Sequence, residues 1–173
     1  MSTAVRRVLV AVASRHGGTA GIAADLAAAL GGAPGVSAVV VPVAQQPDPA
    51  SFDAVVLGSA IYAGRWLEPA REYAATHAAQ LRLRPVWLFS SGPIGEPPYP
   101  PDEPHDVAPL TALTGARGHR TFPGRLDPTR LSFGERAMAT AMRAPVGDFR
   151  DPAAARAWAA ALAVEIGAAS PVA

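Results

Sequence analysis

The stretch "VLVAVASRHGGTAGIAADLAAAL", residues 8–30, constrains the fold more than any other part of the chain. A short, unbroken apolar run reads as a strand buried on both faces. It stops at Ser14, crosses a polar, glycine-containing turn to Thr19, and resumes with Ile22, Ala23, Leu26 and Leu30 at helical spacing before Gly31-Gly32. Strand, glycine turn and helix start, in that order, aim successive backbone N–H groups at one point on a helix N-terminus. That arrangement suits a phosphate. The competing reading is an ordinary turn with a capped helix.

The same alternation continues. Strands are expected over residues 5–13, 36–43, 52–59, 85–90 and 118–126, the last interrupted by Pro123. Helices are expected over 19–30, 67–80, 132–144 and 151–166, with 91–110, "SGPIGEPPYPPDEPHDVAPL", as a stiff Pro-rich loop. Strands alternating with helices predict one α/β domain over 1–173, a parallel sheet with helices on both faces. Ligands of such sheets sit beyond the carboxyl ends of the strands, where strand order reverses.

Composition removes whole classes of chemistry. The chain has no cysteine and no lysine: all 15 of its Lys-plus-Arg cations are arginine. Thiolate catalysis, cysteine-held metal clusters, Walker-type ATP binding and Schiff-base chemistry are therefore excluded. The four histidines, His16, His77, His105 and His119, show no metal-ligand spacing. A net charge of +1 gives no footprint for nucleic acid. No apolar run reaches the ~18 residues of a membrane span. The two arginines before the first apolar run mimic a secretory signal only faintly, so a cytoplasmic protein is expected.

Three loops follow the first, third and fourth strands, and all are rich in small and polar residues. The first is Ser14, Arg15, His16, Gly17, Gly18 and Thr19. A dinucleotide-binding reading fails here, because His16 stands where the first glycine of Gly-x-Gly-x-x-Gly is needed and the second strand ends without an acidic residue. A response-regulator receiver fails for want of acidic residues and a lysine. The second loop, "GSAIYAGRW", puts Tyr62 and Trp66 beside small residues, where they would either stack on a ring system or pack under the next helix. The third, "SSGPIG", offers free N–H and hydroxyl groups.

With "SRHGGTAGIA", "FDAVVLGSAIYAGRWLEPAREY", "RPVWLFSSGPIG", "GRLDPTRLSFGERAM" and "GDFRDPAAARAWA", the chain resembles the flavodoxin-like family over nearly its whole length. Within that family it is similar to flavodoxin-domain proteins related to menaquinone-dependent protoporphyrinogen oxidase. The resemblance implies a doubly wound five-stranded parallel sheet in the order 2-1-3-4-5 and one bound flavin mononucleotide (FMN). It places the FMN phosphate on Ser14, His16, Gly17, Gly18 and Thr19, with Arg15 screening or pointing to solvent. The ring would lie between Ser59, Ala60, Ile61, Tyr62, Ala63 and Gly64 on one side and Ser91, Gly92 and Pro93 on the other. Where many flavodoxins place a threonine, this chain has His16, and Tyr99 is the only candidate for a ring-covering tyrosine after the fourth strand.

The activity so implied is that of an FMN-dependent oxidoreductase, protoporphyrinogen- or quinone-linked, with the redox chemistry belonging to the flavin. No proton-transfer residue is nominated; His105 and His119 are expected in solvated loops. The alternatives are a flavodoxin-type electron carrier without a small-molecule substrate, and a flavodoxin-shaped binding module without cofactor. Near-neutral charge argues against a carrier steered electrostatically onto basic partners. Implied partners are a small redox substrate or a redox protein, a homodimer mate, and a quinone or membrane surface. The helix "LSFGERAMATAMRA" is expected to pack on the core; its basic amphipathic character is the alternative reading that would put it on a membrane.

Overall fold

The computed structural model describes residues 4–92, 94 and 103–169. Its strands are β1 (Arg6–Ala13), β2 (Val36–Pro42), β3 (Ala54–Tyr62), β4 (Arg65–Trp66), β5 (Val86–Ser91), β6 (His119–Phe122), β7 (Arg125–Leu126) and β8 (Gly147–Asp148). Its helices are α1 (Gly18–Gly31), α2 (Glu68–Thr76), α3 (Ala78–Leu81), α4 (Val107–Thr114), α5 (Phe133–Ala141) and α6 (Pro152–Ala168). The main sheet runs β2-β1-β3-β5-β6, all parallel, with β4 folded back antiparallel on β3. Counting only the parallel strands, this is the expected order 2-1-3-4-5.

Strand alternation divides the interior into two cores. Val8, Val10 and Val12 of β1 face α1 and α6, where they meet Leu26, Phe89, Leu162 and Ile166. Leu9 and Ala11 face the opposite side, with Leu57, Trp66, Tyr73, Leu88 and Leu110. β1, β3 and β5 lie inside the sheet and are almost wholly buried, which explains their unbroken apolar runs. β2 is an edge strand and leaves Val39 45% exposed.

Four sequence expectations are corrected. β3 runs on to Tyr62, so part of the second loop is strand; Ala63 and Gly64, at φ +50° and +74°, then turn the chain into β4. Two successive residues with positive φ make the tight turn that suits the right-handed twist of a hairpin. The Pro-rich loop ends early, since Val107–Thr114 is helical and buries Val107, Leu110 and Thr114. The expected fifth strand splits at Pro123-Gly124: β6 stays in the sheet, whereas β7 leaves it to pair antiparallel with β8. Lastly, α5 buries no residue at all, so it is not a core-packed helix. Its N-terminus is set locally by a reciprocal pair of Ser132 and Glu135 side-chain bonds to backbone N–H groups.

Candidate functional site

The carboxyl ends of β1, β3 and β5 open on one cleft of about 720 Å³, toward the upper end of the ~300–1,000 Å³ common for small-molecule pockets. Its floor is the turn between β1 and α1. Gly17 adopts the left-handed conformation at φ +83°, and its N–H donates to Ser14 Oγ at 3.2 Å. The Gly17 carbonyl accepts the Gly21 N–H at 3.0 Å. The N–H groups of Gly18, Thr19 and Ala20, the first-turn donors of α1, find no acceptor among the described residues. These donors carry the positive end of a 14-residue helix.

One wall is the β3–β4 hairpin, contributing Ala60, Ile61, Tyr62 and Ala63, and beside it stand Ser91 and Gly92 at the end of β5. Tyr62 is 36% exposed and lies under the Arg15 guanidinium, 5.2 Å from ring centroid to Cζ. Burial pushes its phenol pKa upward, Glu135 adds to the rise, and Arg15 opposes it. Ser14, Arg15, His16, Gly18 and Thr19 also line the cleft. Three of the nominated residues sit elsewhere. Gly17 is part of the turn but does not line the cleft. Ser59 is fully buried, donating to the Ala60 carbonyl at 2.8 Å and accepting the Leu67 N–H at 3.0 Å, so it braces the hairpin from behind. Gly64 faces His105, whose N–H donates to the Gly64 carbonyl at 3.0 Å. Pro93 and Tyr99 fall outside the described residues.

Trp66 takes the packing alternative. It is 2% exposed, and its indole Nε1–H donates to Ser90 Oγ at 2.8 Å. His119 is not in a solvated loop. Its Nε2 lies 2.7 Å from Ser90 Oγ and its Nδ1 3.4 Å from Glu103. Burial lowers its pKa, against an upward pull from Glu103. His105 is exposed, as expected.

The opposite wall comes from a segment the sequence reading did not assign to the site. Arg125, Arg130, Leu131, Glu135, Met138 and Met142 all line the cleft. Arg125 and Arg130 both donate to the His16 carbonyl, at 3.0 and 3.3 Å. Glu135 reaches back from α5 to His16 Nε2 at 3.2 Å and Arg15 Nε at 3.0 Å. The Ser132 N–H holds the Glu135 carboxyl below its usual pKa, partial burial opposes this, and the His16 bond adds to it. The available signal was the run of Arg130, Arg136, Met138, Met142 and Arg143 in and just before a helix that was expected to pack on the core.

A family model described as a flavodoxin domain matches residues 9–152. The chain belongs to the flavodoxin domain family. Among solved structures, this flavodoxin-domain chain is similar to a flavodoxin from the domain Archaea, with TM-score 0.61 and 15% identity over 92% of this chain and 98% of that one. A cysteine-to-serine mutant of flavodoxin from Pseudomonas aeruginosa gives TM-score 0.58 and 15% identity over 92% and 98%. Rubredoxin oxygen:oxidoreductase from Desulfovibrio gigas gives TM-score 0.60 and 11% identity, covering 95% of this chain but 37% of that one. At these identities the structural likeness speaks for the fold. No curated protein matches the sequence. No helix among the described residues is long and apolar enough to cross a membrane.

Proposed function

We propose that the chain binds FMN in this cleft and acts as an FMN-dependent oxidoreductase. One observation carries the reading: the glycine turn with its three unmatched amides and the small-residue wall of Ala60–Ala63, Ser91 and Gly92 border a single cleft. A phosphate monoester dianion suits the amides of Gly18, Thr19 and Ala20 without any lysine. A planar ring system suits the slot between the β3–β4 hairpin and α5, where Ile61, Tyr62 and Met138 supply apolar and aromatic surface. When bound, the flavin would supply the electron-transfer chemistry. The protein's share is to fix the phosphate, orient the ring edge against the hairpin backbone and keep water from the face that α5 covers.

Membership of the family supports a flavoprotein but leaves the substrate open. The finer reading is a protoporphyrinogen- or quinone-linked oxidase, resting on the resemblance of the late segments. Its rival is an electron carrier serving a partner protein. The wall formed by residues 125–145 and the near-neutral net charge favour an enzyme that encloses a substrate over a carrier that exposes its ring edge. A visible-absorption titration with FMN tests the common ground: saturation at one flavin per chain is expected, and absence of any spectral response ends the flavin reading. Turnover of a quinone or porphyrinogen by the loaded protein then separates enzyme from carrier. Flotation with liposomes tests membrane contact through α5, where Phe133 is 88% exposed near Arg130, Arg136 and Arg143.

A further inference from the structure

The geometry points to a guanidinium clamp: Arg125 and Arg130 close over the phosphate turn and make it selective for the terminal phosphate monoester of the flavin. This rests on the flavin reading and extends it to residues distant in sequence from the glycine turn.

Both guanidiniums converge on one neutral acceptor, the His16 carbonyl, at 3.0 and 3.3 Å. A Cβ at Gly17 would lie 3.1 Å from Arg130 Nη1 and 3.4 Å from Arg125 Nη2, so both cations stand directly against the turn. Two like charges beside a single carbonyl repel each other and the positive end of α1, and a neutral dipole offsets little of that. An anion of charge near −2 offsets all of it. Nearby carboxylates offset only part of it, although Asp127 and Asp148 both attract Arg125. Glu135 holds Arg15 and His16, and Asp148 is held at about 2 chiefly by its hydrogen bonds to Arg150. Asp127 Oδ2 reaches Arg130 Nε at a long 3.5 Å, while its Oδ1 accepts from the Thr129 N–H and hydroxyl. Arg125 uses a single N–H on a protein acceptor among the described residues, which leaves its forked donor edge available for phosphate oxygens. The β7–β8 ribbon delivers Arg125 to this position, because Arg125 pairs with Asp148 in its register.

The test compares FMN with riboflavin, which lacks the phosphate, on the full chain and on Arg125→Gln, Arg130→Gln and the double variant. The double variant is expected to bind FMN about tenfold to a hundredfold more weakly, the range for losing charge-assisted hydrogen bonds, while its riboflavin affinity is unchanged. Salt should weaken FMN binding to the full chain and do so less in the variants. Arg→Lys at both positions should recover part of the FMN affinity, and unchanged thermal unfolding shows that the variants are folded. FMN affinity and salt dependence that survive in the double variant overturn the clamp alone, as does equal wild-type affinity for FMN and riboflavin. If the wild type binds neither flavin, the flavin reading falls. In that case inorganic phosphate decides the clamp: a rise in Tm in the wild type that is absent from the double variant retains it as an anion site, and no rise overturns it.

Discussion

Ala63 occupies the left-handed region at φ +50°, next to Gly64, which tolerates φ +74° at no steric cost. A side chain there costs roughly 1–2 kcal/mol, part of which a glycine returns as unfolded-chain entropy. Ala63→Gly is therefore expected to raise the free energy of unfolding by about 0.5–1 kcal/mol, read by urea denaturation; a loss of stability would show that the Ala63 methyl is needed as part of the cleft wall. His119 sets a pH dependence. Because the Glu103 carboxylate only accepts, Nδ1 carries the proton toward it, and Nε2 is left to accept from the Ser90 hydroxyl, which itself accepts from Trp66. Protonating Nε2 in this buried site opposes that chain. With the folded pKa below the ordinary value of about 6.5, stability is complete above pH ~6.5 and falls as pH drops through the folded pKa. His119→Gln should flatten that part of the stability–pH curve; an unaltered slope would contradict the assignment. His119 fell inside the expected strand over 118–126 yet was read as solvated, because the groups that enclose it, Ser90 and Glu103, lie far off in the chain.

At the scale of elements, α5 and α6 show how differently two neighbouring helices are held. α6 buries Ala155, Ala159, Leu162 and Ile166 against α1, so its position follows from the core. α5 buries nothing and is fixed by its cap, by Glu135 and by the edge of the cleft. A proline in its exposed middle, Ala137→Pro, should open α5 locally and lower the protection of its amides without splitting the global transition, whereas Leu162→Ala should cost about 2–5 kcal/mol of global stability. Amide exchange in α5 should proceed by local opening, well ahead of α1 and α6; protection equal to that of α1 would refute this. Legibility follows the same division. β1, α1, β3 and β5 were readable because burial on both faces writes continuous apolar runs. So was the glycine turn, whose residues are contiguous. The β7–β8 ribbon and the far wall of the cleft were not, since two-residue strands carry no period and their partners lie over a hundred positions away.

At the scale of the whole molecule, one sheet separates two apolar interiors, and neither can form without β1, β3 and β5. Truncations on opposite faces, Leu26→Ala and Leu88→Ala, should each remove about 2–5 kcal/mol and shift the same single unfolding transition. Two separable transitions in calorimetry would mean that the faces fold as independent units. The close contact at the centre of the sheet works in the same direction: a Cβ on Gly58 would overlap the Phe89 ring, so the pairing of β3 with β5 in this register depends on glycine there.

The guanidiniums that reach the glycine turn lie 109 and 114 positions after His16 in the chain. A ribosome adding about 5–20 residues per second therefore exposes the turn roughly 5 to 20 s before it supplies the side chains that close over it. On the clamp proposed above, the nascent polypeptide would for that interval hold the amides of the turn without the two guanidiniums. A phosphorylated ligand held by the proposed clamp would therefore be secured only once residues 125–130 have been made.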